Sequence, residues 1–358
     1  MDSSKTLSTV LVQKRIYVLL ALVVITLLAL SRPFGGSSTY GIRSARYLNA
    51  LPPREAAANE TLGFQKILAL SPRPSWRTRG LDSAGRSVGL QFTYPTQAKN
   101  PADLVTAFSE IGKSSGKTAP ARGSATAWLY HIDLLKYFIM SGLESALIVE
   151  DDVDFDMKLK DQIRLASDNI RAYTEVPVTD SSAYGTNWDI LWLGHCGTAT
   201  EPNNPGQRYL DESRCKTELY SGWSKHFLRD HLEEGHRIVQ WAGSMTICTF
   251  GYGVHKHSAQ KILNIVASGA DEAFDVALSH ACGTGALRCL VVNPQIMNHY
   301  EPPKDTGYLS PVHVGDGQGE SADESRFEKS MGTTGNIMNS ARCQTLFGQT
   351  CMRPASEI

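Results

Sequence analysis

Glu150-Asp151-Asp152-Val153-Asp154 places four carboxylates within five residues, directly after the apolar run Ala146-Leu147-Ile148-Val149. Acids this close repel one another unless a cation or a positive group lies among them. A hard divalent ion with oxygen ligands is the simplest such partner. The plainer reading is a set of solvated acids at a loop or helix start. A calcium loop of the EF-hand kind fits poorly, because Met157 stands where the turn glycine belongs and Lys158 and Ile163 where oxygen ligands belong.

Other elements must hold this cluster in place. A short apolar run ending in acids reads as a strand buried on both faces, the habit of a parallel sheet covered by helices. In such sheets the ligand crevice lies at the carboxyl ends of the strands, where these acids fall. The spacing predicts an amphipathic helix over 124–142, with Trp128, Leu135, Phe138 and Ile139 on its apolar face and His131 at the edge of that face as a structural histidine. Upstream, a first strand over 64–70 opens into the loop 71–79, whose prolines exclude a helix through Pro72 and Pro74 and whose Arg73, Arg77 and Arg79 suit phosphate. A second strand is expected over 88–94 and a helix over 101–111. Downstream the pattern predicts a helix over 157–173, a central strand ending in Gly194-His195-Cys196 with Trp192 as a core residue or a surface for stacking a base or sugar, and a polar lid over 198–235. The stretch 246–254 reads as a strand whose glycines admit a ligand to the backbone. A helix over 258–267, a shorter one carrying Asp271, Glu272 and Asp275, and a last strand over 287–292 complete the expected domain at 62–302. Residues 303–358 are Gly-, Ser- and Asp-rich and read as a loosely ordered tail.

Composition narrows the class. The 358 residues are 42% hydrophobic, enough for a sizeable core, and the net charge of −1 without a basic run excludes nucleic acid as a partner. Residues 16–30 are apolar apart from Thr26, so 16–31 is expected to be a signal-anchor transmembrane helix, with 1–15 cytoplasmic and 32–61 a stalk. A cleaved signal peptide is the alternative, since Ala29-Leu30-Ser31 has the small-x-small spacing of a cleavage site. All seven cysteines lie beyond this segment, which points to an oxidising compartment, and the sequon Asn59-Glu60-Thr61 suits one. Their odd number leaves one thiol over. Cys343 and Cys351 are close enough in sequence to pair locally, and no CxxC pair supports zinc.

In order, the 146–153 strand with its preceding helix, Trp188-Asp189-Ile190-Leu191-Trp192-Leu193-Gly194-His195-Cys196-Gly197, the Gly251-Tyr252-Gly253 strand, Phe274-Asp275-Val276-Ala277-Leu278 and Val292-Asn293-Pro294-Gln295 resemble the family 25 glycosyltransferases. These include lipooligosaccharide and collagen hydroxylysine galactosyltransferases. The likeness covers roughly 62–302. It implies an α/β fold of the GT-A type, a Rossmann-like, mostly parallel sheet flanked by helices. It also implies a nucleotide-sugar donor such as UDP-galactose, a manganese or magnesium ion, and a glycan or glycoprotein acceptor. Carried onto this chain, the acidic motif makes Asp152 the metal ligand, with Asp154 an additional candidate and Glu150 and Asp151 beside the nucleotide. The resemblance also implies inversion, and so a general base at the acceptor hydroxyl. Asp275 matches the family's acidic position there, with Asp189 in reserve. His299 is a further metal candidate, since neutral imidazole suits a manganese-type ion. Arg73 and Arg77 stand in a loop that departs from the family's Asp- and Arg-rich pattern.

The expected function is therefore galactosyl transfer in the Golgi or endoplasmic reticulum, as a single-pass type II protein or, if cleaved, a secreted one. The alternatives are a metal-dependent nucleotide-sugar hydrolase or phosphodiesterase, and a non-catalytic luminal sugar-binding protein of the same fold.

Overall fold

The structure, a computed structural model, describes residues 51–114, 118–200, 203 and 205–353. Its strands are β1 (Lys66–Leu70), β2 (Phe92–Thr93), β3 (Ser145–Glu150), β4 (Val153–Phe155), β5 (Ile190–Gly194), β6 (Gly206–Leu210), β7 (His236–Trp241), β8 (Gly251–His255), β9 (Cys289–Asn293), β10 (Met297–Glu301) and β11 (Thr333–Thr334). The main path runs β2-β1-β3-β8-β5-β9-β7-β6, and β4, β10 and β11 form a small extension at one end of β3 and β5. β3 is the pivot. Leu147 and Val149 point into one core with Phe155, Leu159 and Ile163, while Ala146 and Ile148 point into the other with Trp128, Leu135 and Phe274. Helices thus cover both faces, as a strand apolar on both sides requires.

The expectation of a mostly parallel sheet is corrected. The pairs β1–β2, β1–β3 and β5–β9 are parallel, but β3–β8, β5–β8, β7–β9 and β6–β7 are antiparallel, so the sheet is mixed. An apolar run buried on both faces carries no mark of its direction, which is why the sequence did not reveal the reversal at β8. Packing alone requires the glycines of β8: a Cβ on Gly253 would lie 2.6 Å from the Phe64 ring, and one on Gly251 2.8 Å from Met297 Sδ. Among the described residues no helix is long and apolar enough to cross a membrane, and the segment 16–31 lies outside them.

Two boundaries also move. Residues 53–57, expected in the stalk, form a helix against the Leu159–Tyr173 helix, with Ala57 buried. Asn59 folds back, its Oδ1 accepting from Thr61 N (2.8 Å) and Gly63 N (3.0 Å). The stretch after 303 is no loose tail. It contributes helices Pro311–Gly315, Glu324–Lys329 and Ala341–Phe347 and the buried residues Ser340, Arg342 and Cys343. Its composition hid this because its order comes from contacts with the rest of the molecule. Asp316 Oδ1, for instance, accepts from Gly123 N at 2.5 Å and Ser124 N at 3.3 Å, capping the Arg122–Met140 helix.

Three disulfides join Cys196 to Cys248, Cys282 to Cys289 and Cys343 to Cys351. The remaining thiol is the buried Cys215.

Candidate functional site at the end of β3

The acids leave β3 in two directions. Glu150 turns toward the Arg122–Met140 helix, where Thr249 Oγ1 donates to its Oε1 at 2.8 Å and His131 Nε2 lies 4.0 Å away. His131 is buried and stacks on Phe274 at 4.3 Å. Its Nδ1 lies 3.0 Å from the Tyr252 hydroxyl and its Nε2 3.3 Å from Thr249 Oγ1. Burial holds its pKa down to about 3, so the ring is neutral. With the proton assigned to Nε2, the bonds run in one sense from Tyr252 through His131 and Thr249 to Glu150. Burial, then the Asp152 charge, pushes the Glu150 carboxyl up to about 8 against the Thr249 bond and the Arg77 charge, with Asp275 adding to the rise.

Asp151 and Asp152 turn the other way, onto Arg77. Its Nε lies 2.9 Å from Asp151 Oδ1, and Nη2 pairs with Asp152 Oδ2. Ser71 Oγ donates to Asp151 Oδ2 at 2.6 Å. Burial opposes the charge on Arg77, the two carboxylates outweigh it, and its pKa is raised. The helix Trp76–Val88 sets this geometry. It begins immediately after the two prolines, with Ser75 as N-cap in a reciprocal capping box with Thr78, and Arg77 sits in its first turn. The helix is not legible in the sequence, because it follows directly on the two prolines and its Gly80 and Gly85 weaken the helical pattern. Gly80 leaves room for the guanidinium of Arg342, whose Nη2 donates to Arg77 O (3.0 Å) and Asp151 O (3.3 Å) and which lies 5.0 Å from the Tyr300 ring.

Asp275, in the first turn of the Phe274–Gly283 helix, joins the Glu150 side. Its Oδ2 accepts from Cys248 N at 2.8 Å and its Oδ1 from Val276 N at 3.0 Å, while burial pushes its pKa up. Cys248 holds a φ of 71°, a conformation rare outside glycine, fixed between this bond and its disulfide to Cys196.

Several expected residues do other work. Asp154 is fully buried and is no open ligand: Ser340 Oγ donates to its Oδ2 at 2.5 Å, and Phe155 N (2.9 Å) and Arg342 N (3.2 Å) donate to its Oδ1. Asp189 lies just before β5, at the opposite sheet edge, where Lys261 Nζ (2.7 Å), Arg288 N (2.8 Å) and Ser258 Oγ (3.2 Å) take it up. Arg73 is exposed and pairs with Glu324, and Arg79 likewise pairs with Glu328 at 2.7 Å. His299 sits beside the acids, its backbone opposite Val153, but its Nε2 faces Glu301 Oε1 at 3.2 Å and its Nδ1 Asn298 Oδ1 at 3.1 Å. Trp192 is wholly buried and stacks on nothing outside the core. Thr249 and Arg342 carry no mark of their role in the sequence, and Tyr252 is marked only by the Gly251-Tyr252-Gly253 motif and not by its bond to His131.

Among the described residues no group of three or more His, Cys, Asp or Glu side chains is arranged to hold a metal ion. One atom nevertheless fits. Asp152 Oδ1 is buried without a hydrogen-bond partner. That donor set suits an ion held by one carboxylate, with phosphate and water completing its shell, and does not suit an all-protein cage. No family model matches the chain, and no curated protein matches it.

Proposed function

We propose that the protein transfers a hexose, galactose in the first instance, from a nucleotide-sugar donor such as UDP-galactose to a hydroxyl of a glycan or glycoprotein acceptor, with inversion. The resemblance of its motifs supports this reading. One observation carries it: where β3 ends and β8 begins, an acid with a bare oxygen (Asp152) and its cation (Arg77) lie on one side of Glu150, and an acid held by a strained backbone (Asp275) lies within electrostatic reach of Glu150 on the other.

The chemistry asks for two things. Charge developing on the departing diphosphate needs a positive counterpart, which the Arg77 guanidinium supplies in planar, two-pronged form. A divalent ion on Asp152 would add Lewis-acid neutralisation of the same charge. On the other side, Asp275 accepts the proton of the attacking hydroxyl, and its raised pKa makes it a better base than an ordinary aspartate. His131, held neutral, and Thr249 keep Glu150 turned from the diphosphate side. The three disulfides support a luminal or secreted setting.

A second reading has its own observation. Asp151 and Asp152 are each only 6% exposed and already paired with Arg77, with Tyr308 within electrostatic reach of Arg77 and Asp152. A non-catalytic protein that keeps the site closed would look the same. Given manganese, UDP-galactose and a panel of methyl glycosides, a transferase releases UDP faster when an acceptor is present. Release that ignores the acceptor identifies a hydrolase, and the absence of UDP binding identifies the closed, non-catalytic protein.

A further inference from the structure

The loop 221–224 is held on three sides. Asn336 Oδ1 accepts from Ser221 N at 2.8 Å, and Asn336 Nδ2 donates to Ser221 O at 2.6 Å. Ser224 Oγ donates to Thr198 O and accepts from Thr198 N, both at 3.0 Å. Between these anchors Gly222 has a φ of 126° and leaves no room for a Cβ, which would come within 2.4 Å of Cys196 O, and Gly197, at 134°, lies where any Cβ would come within 2.7 Å of Trp223 N. A loop this constrained fixes the backbone from which Trp223, 54% exposed, projects.

Its position gives that exposure meaning. Cys196, beneath the loop, is disulfide-bonded to Cys248, and Cys248 N donates to Asp275. On the other flank, Gly335 packs between Asn298 of β10 and Ser221. The backbone of Trp223 thus lies against Gly197, just past the end of β5 on the sheet edge where the acids lie, and the Cys196–Cys248 disulfide ties that loop to the turn whose backbone holds Asp275. Of the six tryptophans, Trp76, Trp128, Trp188 and Trp192 are buried and Trp241 is half-buried under Arg288.

We propose that Trp223 is the stacking platform for a hexopyranose of the acceptor. A pyranose offers one face of C–H groups, weakly positive and poorly hydrated, that complements the negative face of an indole, while its hydroxyls stay in water. A rigid ring on a rigid loop binds with little loss of freedom, so a single stacked face suffices for a weak, orienting contact. The role as acceptor subsite rests on the transferase reading; the binding itself does not.

The test uses the intact protein and its tryptophan emission. Methyl β-galactopyranoside, methyl β-glucopyranoside and methyl N-acetyl-β-glucosaminide are titrated into wild type and Trp223→Ala, and UDP with manganese is titrated in parallel. A saturable blue shift with at least one glycoside in wild type, and an affinity for that glycoside, measured by saturation-transfer NMR in both proteins, weakened about tenfold or more in Trp223→Ala at unchanged melting temperature, are the expected results. Saturation-transfer NMR with Trp223→Phe should show binding retained, since a phenyl ring still offers a face. No glycoside response in wild type, or an equal response in Trp223→Ala, overturns the platform. Should glycosides bind through Trp223 while UDP does not bind at all, the platform stands and the transferase reading falls.

Discussion

Asp152 gives one carboxylate oxygen to Arg77 and keeps the other buried without a partner. The cation that the acidic motif demanded is, in this structure, a side chain of the protein. Removing it should be severe. Arg77→Ala would leave Asp151 and Asp152 facing each other beside Glu150, and truncating one partner of a buried pair costs about 3–5 kcal/mol. Urea unfolding should show a loss of that size. Manganese should then recover more melting temperature in Arg77→Ala than in wild type, because the ion replaces the lost charge. Equal responses to manganese would argue that no ion reaches these acids.

Asp275 and Asp189, both candidates for the base, separate cleanly. Asp275→Asn should lower kcat by about 10²- to 10⁴-fold with UDP binding retained. Asp189→Asn should instead lower stability, because Lys261 Nζ and the backbone N–H of Arg288 lose a charged acceptor at the far edge of the sheet. The pH profile adds a sign. Asp275 must be ionised to take a proton and burial raises its pKa, so kcat should climb with pH through a value above the ordinary aspartate range. A profile flat across that range would point to another base.

The disulfide Cys196–Cys248 closes a sequence separation of 52 residues and ties the loop after β5 to the turn that carries Thr249. Chain-entropy arguments give such a closure roughly 4 kcal/mol of stability. Cys196→Ser with Cys248→Ser should therefore melt lower. It should also lose acceptor-dependent turnover beyond what stability explains, since Cys248 N no longer fixes Asp275. Melting temperature in non-reducing buffer and kcat at a temperature where the variant stays folded are the two measurements.

How far the sequence could be read follows from range. β3, β5 and the Arg122–Met140 helix were legible because their apolar spacing is local. So was the acidic edge, because strand and acids adjoin. The pairing of Cys343 with Cys351 was legible for the same reason. What failed needed distant partners. Asp154 looked like an open ligand until Ser340 and Arg342, nearly two hundred residues on, closed over it. The stretch after 303 looked disordered because Arg342 gains its place only against Trp76, Tyr300 and the backbone of Asp151. The direction of β8 likewise depends on strands on both sides of it.

His195 yields the last prediction. It is fully buried, with Gly197 N donating to its Nδ1 and its Nε2 facing Val292 O, each at 3.0 Å. Both nitrogens are thus satisfied in the neutral ring, and a proton on Nδ1 would meet a donor head-on. Burial is the main reason its pKa falls to about 4 from an ordinary 6.5. The unfolded chain takes up this proton below about pH 6.5 and the folded protein does not, so stability from His195 is intact above that value and is lost as pH drops toward 4. The slope is about 1.4 kcal/mol per pH unit, or about 2 kcal/mol by pH 5. Urea unfolding of wild type and His195→Gln at pH 7 and pH 5 isolates the effect from the buried carboxylates, which titrate alike in both. Wild type should lose about 2 kcal/mol more than the variant, and a gap that stays constant would mean that the folded ring accepts its proton as readily as the unfolded one.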